Sequence, residues 1–307
     1  MRDFIFRYGT VTLSMVFWAF SFIWFKVANE TYRPLTIVFI RLVISVILLN
    51  IFISLSRSRI RIKREDRKLF ILLAVFEPFF YFLGESFGLT YVNATTGSVI
   101  ISTIPVFAAT GAWVLFGEKL KPVNYTGIIV SFIGILVFLL NRDGSLSFNI
   151  RGILLMTFAV FSAVGYNLTL SRLVGSYDPI SIVNIQNMIG ALLFLPLFLI
   201  SDLDHFISTP FQAKALMPVA KLAVFASCGA FILFAYAVRQ MGVTKANVFT
   251  NCIPLFTAVF SFFILGDILT LQNISGMAIV ITGLFMSQYN GRSGKSGEVK
   301  VLTGKTA

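Results

Sequence analysis

The sequence predicts an all-α integral membrane protein of ten transmembrane helices, arranged as two inverted five-helix repeats. Hydrophobic residues make up 57% of the 307 residues and charged residues only 12%, whereas soluble domains are about 45–50% apolar and about 25% charged. Ten apolar segments of the length that crosses a bilayer as a helix follow one another along the chain. A forty-residue stretch also occurs twice, and five helices in each half give the halves opposite orientations.

The ten predicted spans end at turn or charge signals in the sequence. Arg33-Pro34 follows the first span, and Gly266-Asp267 follows the ninth. No small-residue cleavage site follows the first span, so we expect a retained helix and not a removed signal peptide. The spans cover residues 9–29, 35–56, 68–89, 94–116, 122–140, 150–171, 179–200, 217–240, 245–265 and 271–290.

An internal repeat relates residues 95–134 to residues 244–283. Eleven of the forty positions are identical without a gap, and several of them are Pro or Gly. A duplicated membrane segment is the usual sign of a transporter that is built from two related halves, which supply two nearly equivalent conformations, each open to one side. We therefore predict a first five-helix repeat over residues 1–141, a second, inverted repeat over 149–290, and a disordered cytoplasmic tail over 291–307.

Basic residues predict that both termini are cytoplasmic. With that orientation, eighteen Lys and Arg residues lie at the cytoplasmic ends of the spans and only five at the opposite ends. The net charge of +12 then follows from topology. The basic cluster over residues 57–68 is better explained as a membrane anchor than as a nucleic-acid site. The same topology places Glu118 on the cytoplasmic side and its repeat counterpart Asp267 outside.

The sequence offers few groups for metal binding or enzymatic chemistry. Cys228 and Cys252 lie in apolar runs, and the single histidine, His205, lies in a polar loop. We therefore expect no disulfide, no metal site and no cofactor. The sequence has no HExxH, GxSxG, P-loop or paired-Asp motif, which argues against an enzyme and against an ATP-driven pump. A channel or a sensor is a further alternative, although no long soluble signalling domain is present.

Two pairs of segments resemble the drug/metabolite transporter superfamily in its ten-helix EamA branch. One pair is Pro105-Val-Phe through Leu115-Phe-Gly-Glu-Lys-Leu120 and its second copy, Pro254-Leu-Phe through Leu265-Gly-Asp-Ile-Leu269. The other pair is Arg33-Pro34-Leu-Thr-Ile-Val-Phe-Ile-Arg41 and Asp178-Pro179-Ile-Ser-Ile-Val-Asn-Ile-Gln186. The resemblance spans nearly all of residues 9–290. It implies a solute exporter in a bacterial cytoplasmic (inner) membrane, since relatives export amino acids, drugs and other metabolites.

Glu77 is the strongest candidate for a functional residue. It lies about 18 Å below the outer end of the third span, near the bilayer midplane, where no basic residue has a matching depth. A carboxylate there is costly to ionise and can hold a proton. Pro78 removes a backbone N–H and exposes carbonyl groups suited to a cavity. Glu77, Tyr81 and Glu85 are spaced four residues apart and should share one helix face. The alternative is a protonated Glu77 that only bonds a neighbouring helix.

Arg41 and Glu85 carry opposite charges at matching depth. Counted from the outer ends of the second and third spans, both lie roughly 6–9 Å below the outer boundary. An unpaired buried charge is expensive, so we expect an ion pair between them, with a contact to substrate or to a gate as the alternative. Lys26, in the last turn of the first span, can snorkel to the outer interface.

Aromatic and small polar residues in other spans complete the predicted site. Aromatic rings beside small polar groups suit an amphipathic solute, although in a chain with 34 Phe an aromatic ring is more often used for packing or lipid contact. Polar residues within a span should face the bundle interior. These further candidates are Trp18, Ser21 and Trp24 in the first span, Tyr166 and Asn167 in the sixth, and Gln186 and Asn187 in the seventh.

Together these features predict a secondary transporter that exports a small organic metabolite, an amino acid or an amphipathic compound, by alternating access. The predicted partners are this solute, protons and the lipid bilayer, with Glu77 as the coupling or recognition carboxylate. A proton-independent exchanger or facilitator is the alternative, and a membrane-embedded enzyme or a sensor is less favoured.

Overall fold

The computed structural model describes residues 2–56, 62–108, 121–139, 149–210 and 212–287. Within these ranges the chain is helical and contains no strand, which confirms the predicted all-α membrane fold. Several sequence predictions concern residues outside the described ranges, among them the turn at Glu118, part of the basic cluster at 57–61, the end of the first repeat at 141, and the tail 291–307.

Ten apolar helices follow the order of the predicted spans. In the described part of the chain seven of them are long and apolar enough to cross a membrane, and α4, α5 and α10 are shorter apolar helices. A short surface helix, Leu203–Ser208, follows the seventh. The ten are α1 (Arg2–Asn29), α2 (Pro34–Leu55), α3 (Arg64–Tyr91), α4 (Ala94–Ala108), α5 (Pro122–Leu139), α6 (Ile150–Leu173), α7 (Pro179–Ser201), α8 (Ala213–Met241), α9 (Lys245–Ile264) and α10 (Leu271–Ser287).

Irregular turns interrupt corresponding helices of the two halves. The middle of α3, Val75–Phe80, has a kink at Glu77, and the middle of α8, Leu222–Ala230, is a π-helical segment. A 3-10 segment, Phe249–Cys252, precedes Pro254 in α9. In α4 a turn likewise breaks the helix shortly before Pro105, the repeat counterpart of Pro254. Such breaks leave backbone groups free of the regular helical ladder, and in a membrane they are tolerated where protein or a cavity surrounds them.

Helices α5 and α10 form a close antiparallel pair through glycines that the repeat duplicates. A Cβ on Gly127 would meet the backbone of Ser287, and one on Gly276 would meet the backbone of Phe138 at the other end of the pair. Gly134 and Gly283 make the corresponding contacts nearer the middle. Only residues without a side chain allow two helix backbones to approach this closely.

The same pair is tied at both ends by a duplicated asparagine. Asn124 donates from Nδ2 to the carbonyl of Ser287 at 2.8 Å, and Asn273 donates from Nδ2 to the carbonyl of Phe138 at 2.9 Å. Each asparagine therefore joins its helix to a backbone carbonyl of the partner helix, close to the last residue that the structure describes there. Asn124 at one end of the pair and Asn273 at the other occupy equivalent positions of the repeat.

Gly134→Ala should destabilise the protein, because the new Cβ would lie 2.5 Å from the backbone nitrogen of Val280. We expect the free energy of unfolding to fall by about 2–3 kcal/mol, as is typical of overpacked sites. Thermal unfolding in detergent would measure the change. Gly9→Ala is the matched control, since nothing lies within 4 Å of a Cβ at that helical position. Equal stability of the two variants would contradict the proposed close packing.

Helices α2 and α7 pack against each other and are joined at the start of α2. Arg33, which precedes α2, makes no side-chain cap, whereas its counterpart Asp178 caps α7 through the N–H groups of Ile180 and Ser181. Asp202, which follows α7, caps α2 instead: its Oδ2 accepts hydrogen bonds from the N–H of Thr36 at 3.0 Å and from the Thr36 hydroxyl at 3.1 Å. The other half therefore supplies the cap that α2 lacks.

Asp202→Ala should lower the free energy of unfolding by about 1 kcal/mol, as removal of a helix cap does. Adding Arg33→Asp to this variant should restore the loss, because an aspartate at that position can cap α2 as Asp178 caps α7. Denaturation curves of the wild type, the single variant and the double variant would test this. No rescue by Arg33→Asp would argue that Asp202 stabilises the fold in some other way.

The core lies where α1, α3, α6 and α8 meet, and apolar side chains cover the periphery. Phe22, Phe82, Tyr166, Phe231 and Phe234 are among the largest fully or almost fully buried side chains. Outward-facing apolar residues such as Leu136 and Phe263 remain exposed, as expected of a surface that contacts lipid. The buried centre is therefore both aromatic and interrupted by the breaks in α3 and α8.

Candidate functional site

A cavity lies at the meeting point of the two halves and takes its lining from seven helices. Polar and aromatic side chains line it together, as they do in sites that bind small organic ligands. Eight of the predicted site residues line it, and they come from α1, α2, α3 and α6: Trp18, Ser21, Arg41, Glu77, Tyr81, Glu85, Tyr166 and Asn167.

Glu77 reaches this cavity because α3 is broken at that residue. Its backbone has φ −148° and ψ 120°, which is extended and not helical, and the following peptide bond to Pro78 is cis. The carbonyl of Phe76 accepts a hydrogen bond from the hydroxyl of Ser162 on α6 at 2.6 Å. A neighbouring helix thus satisfies a backbone group that the break releases. The Glu77 side chain is buried, lines the cavity and has no hydrogen-bond partner among the described residues.

Tyr81 and Glu85 continue the polar stripe of α3. Both line the cavity with Glu77, as their four-residue spacing predicts, although the break lies beside them. The Tyr81 hydroxyl donates to Oε1 of Glu85 at 3.0 Å. Two carboxyl groups therefore face the same cavity with different partners, since Glu85 has a phenol donor and Glu77 has none.

Arg41 and Glu85 do not form the expected direct ion pair in this structure, although their opposite charges interact at a longer distance. In the described part of the chain the N–O pairs within 4.0 Å do not include these two groups. Arg41 instead donates from Nε to the Ser227 hydroxyl at 2.9 Å, and its guanidinium carbon lies 3.9 Å from the centre of the Phe82 ring. The ring holds the guanidinium by a cation–π contact. The two terminal nitrogens of Arg41 have no hydrogen-bond partner among the described residues.

Asn187 lies behind Arg41 and does not line the cavity. Its Nδ2 donates to the Ser45 hydroxyl at 2.6 Å and to the Ser227 carbonyl at 3.0 Å. Ser45 also contacts the Cys228 thiol at 3.0 Å. Asn187 is therefore buried in the bundle interior, as predicted. It bonds the backbone of Ser227, whose hydroxyl in turn bonds Arg41.

The second half contributes hydrogen-bonding groups to the cavity through α6 and α9. Asn167 donates from Nδ2 to Oδ1 of Asn247 at 3.2 Å, and both side chains line the cavity. Tyr166 also lines it and donates its hydroxyl to Oε1 of Gln186 at 3.3 Å. Gln186 itself is completely buried behind Tyr166. Its Oε1 accepts from the phenol, while its Nε2 is buried without a hydrogen-bond partner among the described residues.

Aromatic rings form one wall of the cavity. Trp18 packs edge-on against Phe231 with ring centres 5.3 Å apart, and its ring centre lies 5.0 Å from that of Phe234. Phe231 also contacts Tyr166 at 5.9 Å. Trp24 does not line the cavity, because it stacks on Phe20 at 5.2 Å on another face of α1.

Lys26 donates to the carbonyl of Leu89 at 2.5 Å, near the end of α3.

Sequence reasoning missed several cavity residues that the repeat could have identified. Ile101 and Thr250 occupy equivalent repeat positions, as do Ile104 and Ile253, and all four line the cavity. Asn247 lies one helical turn before Thr250. Had the repeat been used to predict sites as well as topology, these residues just before Pro105 and Pro254 would have been candidates.

The groups that line the cavity can contact the charged, polar and apolar parts of an organic molecule. In the part of the chain that the structure describes, no three His, Cys, Asp or Glu residues lie together as metal ligands. A guanidinium, two carboxyl groups, amides and aromatic rings instead offer separate places for an anion, a cation and an apolar group.

Comparisons with known proteins give this chain a family. The model of the EamA-like transporter family matches it twice, over residues 7–140 and 150–289. An uncharacterized transporter of Archaeoglobus fulgidus is 25% identical over 281 residues, which cover 90% of this chain and 95% of the relative. The uncharacterized transporter YdfC of Bacillus subtilis is 23% identical over 276 residues, with 89% and 88% covered. One solved crystal structure shares the fold, with a TM-score of 0.65 at 16% identity, covering 90% of this chain and 97% of that chain.

Proposed function

Because this chain belongs to the EamA-like transporter family, we propose that it is a secondary transporter that exports a small amphipathic zwitterion, such as an amino acid, by alternating access. Family membership and the ten apolar helices make it a multi-pass membrane transporter, whose partners are a small solute and the lipid bilayer. Its relatives are named as transporters and not as enzymes. The nature of the solute, the direction of transport and the coupling are the proposal.

One observation carries the proposed solute class: opposite charges and aromatic rings line the same buried cavity. Arg41 can bind a carboxylate through its two terminal nitrogens, which have no partner among the described residues. Glu77 and Glu85 can bind an ammonium group. Trp18 and Phe231 offer an apolar wall for the rest of the solute. A zwitterion with an apolar portion uses all of these groups at once.

Glu77 is proposed as the coupling residue. Its carboxyl group has no hydrogen-bond partner among the described residues, and it lies at the break in α3. A proton and the ammonium group of a solute would compete for it, because each neutralises the same buried charge. A proton entering from outside would displace the solute, and departure of that proton inside would prepare the site for the next one. Protons are therefore the proposed coupling ions.

Alternating access is supported by the antiparallel pair α5–α10 and by the two family matches. The pair repeats the same contacts at both of its ends, and each family match covers one half of the chain. We propose that the halves are the inverted repeats 1–141 and 149–290, that both termini are cytoplasmic, and that the protein resides in the inner membrane of a bacterial cell.

Purified protein in liposomes would test the proposed function. Vesicles with an acidic lumen should accumulate radiolabelled zwitterionic amino acids from a neutral medium, while vesicles without a pH gradient should only equilibrate them. Exchange that ignores the gradient would contradict proton coupling and favour the exchanger. Failure to transport any zwitterion, by a protein that unfolds cooperatively and at a reproducible temperature, would contradict the solute class.

Cysteines at positions 118 and 267 should react from opposite sides of the membrane. The proposed inverted arrangement puts residue 118 on the cytoplasmic side and residue 267 outside. A membrane-impermeant maleimide added to whole cells should label position 267 and not position 118, in a background without Cys228 and Cys252. Labelling of both positions from outside would contradict the inverted repeat.

A further inference from the structure

The cavity differs in chemistry between the two halves of the chain. Its charged lining groups, Arg41, Glu77 and Glu85, all come from α2 and α3 of the first half. The second half offers uncharged hydrogen-bonding groups, of which Asn167 and Asn247 are the largest besides Tyr166. A solute in this cavity therefore meets charge on one side and amides on the other.

A comparison of equivalent positions gives the same asymmetry. The segment that ends at Arg41 corresponds to the segment that ends at Gln186. Where the first half has a guanidinium that faces the cavity, the second has a neutral amide that accepts from Tyr166. The second half therefore lines the cavity with polar groups that carry no charge, whereas the first half also lines it with charged ones.

The amide pair Asn167–Asn247 has an unused acceptor. Asn167 uses Nδ2 to donate to Asn247, while its Oδ1 is buried and has no hydrogen-bond partner among the described residues. Its side chain lines the cavity although the residue is only 5% exposed. Buried polar atoms of native proteins nearly always have a partner, so an orphan beside a cavity indicates a group that a ligand satisfies.

We propose that the Asn167–Asn247 pair is a second recognition site, which takes an uncharged hydrogen-bonding group of the solute such as a hydroxyl or a carboxamide. The proposal rests on the proposed function, in which Arg41, Glu77 and Glu85 hold the charged end. The solute class becomes a zwitterion with a polar, uncharged side chain. A hydroxyl or an amide N–H donates to Oδ1 of Asn167, whereas a methyl group of the same size leaves that acceptor unpaired.

Isosteric pairs of amino acids separate this proposal from simple size selection. Threonine and valine have nearly the same shape, as do asparagine and leucine, and in each pair only the first member carries the extra hydrogen-bonding group. In competition for uptake into proteoliposomes, the wild type should prefer the polar member by about tenfold, since one lost hydrogen bond to a buried group has an effect of that order. Equal uptake of both members would overturn the second recognition site and leave the proposed function intact.

Asn167→Leu should remove the preference while valine and leucine are still transported, and Asn247→Leu should reduce it as a second test. Asn184→Leu is the matched control: Asn184 is equally buried and also has an unpartnered Oδ1, but it pairs with Asn50 away from the cavity. The Asn184→Leu variant should prefer the polar member of each pair as strongly as the wild type does. An unchanged preference in a folded Asn167→Leu protein would overturn the proposal. Transport of neither member by the wild type would overturn the proposed function and this site together.

Discussion

Glu77→Gln should abolish accumulation of the solute against its gradient while exchange of solute for solute continues. Glutamine keeps the size and hydrogen-bonding ability of the side chain but can neither lose a proton nor attract an ammonium group by charge. We expect uptake driven by a pH gradient to fall by at least about tenfold, the effect of about 1.4 kcal/mol. Proteoliposomes with and without an acidic lumen would measure both activities in the same preparation.

The matched control for this experiment is Glu65→Gln. Glu65 is an exposed carboxylate at the start of α3 whose only ion pair among the described residues is a 3.9 Å contact with Lys63. The Glu65→Gln variant should transport the solute like the wild type, with and without a pH gradient. If Glu77→Gln kept a full response to the pH gradient, Glu77 would not be the coupling residue and its carboxyl group would have only a structural role.

Arg41→Gln should raise the KM for the solute by about 10- to 100-fold. Position 41 corresponds to position 186 of the second half, so the substitution gives both halves a glutamine there. It also removes the positive group of the cavity. Hydrogen bonds to charged groups each contribute about 1.5–3 kcal/mol, and a guanidinium can make two to one carboxylate. Initial rates over a range of solute concentrations would separate KM from kcat.

Arg41→Gln also leaves two carboxyl groups in a cavity without a cation. We therefore expect thermal stability to fall, and we expect Arg41→Gln with Glu85→Gln to recover stability but not solute affinity. Arg172→Gln, at an exposed site in the last turn of α6, is the control and should change neither property. Full recovery of transport by the double variant would show that Arg41 only neutralises Glu85 and does not bind the solute.

The fold could be predicted from the sequence because bilayer thickness, charge and duplication act on long segments. Each of the ten spans had to be apolar over a similar length, so their order and approximate ends could be predicted without any contact between them. The repeat did not predict the pairing of α5 with α10. Gly127 and Gly276 are identical in the two copies, but their close backbone contact with the opposite helix requires three-dimensional information.

The candidate site could be predicted only where one helix determined it. Tyr81 and Glu85 lie in one regular helical segment, so their spacing was enough to place them together. Glu77 lies at the break in α3, where helical spacing does not apply. Arg41 and Glu85 lie on different helices, and their matching depth did not determine the rotation of either helix. Phe82 and Ser227 take the guanidinium instead. The break at Glu77 was expected from Pro78, whereas the support from Ser162 on α6 depends on packing.

The paired ends of α5 and α10 have a consequence for the origin of the protein. Asn124 and Asn273 are the same residue type in the same contact, as are the glycines of the pair. A self-complementary surface of this kind also joins two identical subunits around a two-fold axis. A half-length ancestor that inserted into the membrane in both directions would have needed no new side chain to dimerise through this surface. Gene fusion would then have fixed the two orientations, after which Arg41 and Gln186 could diverge.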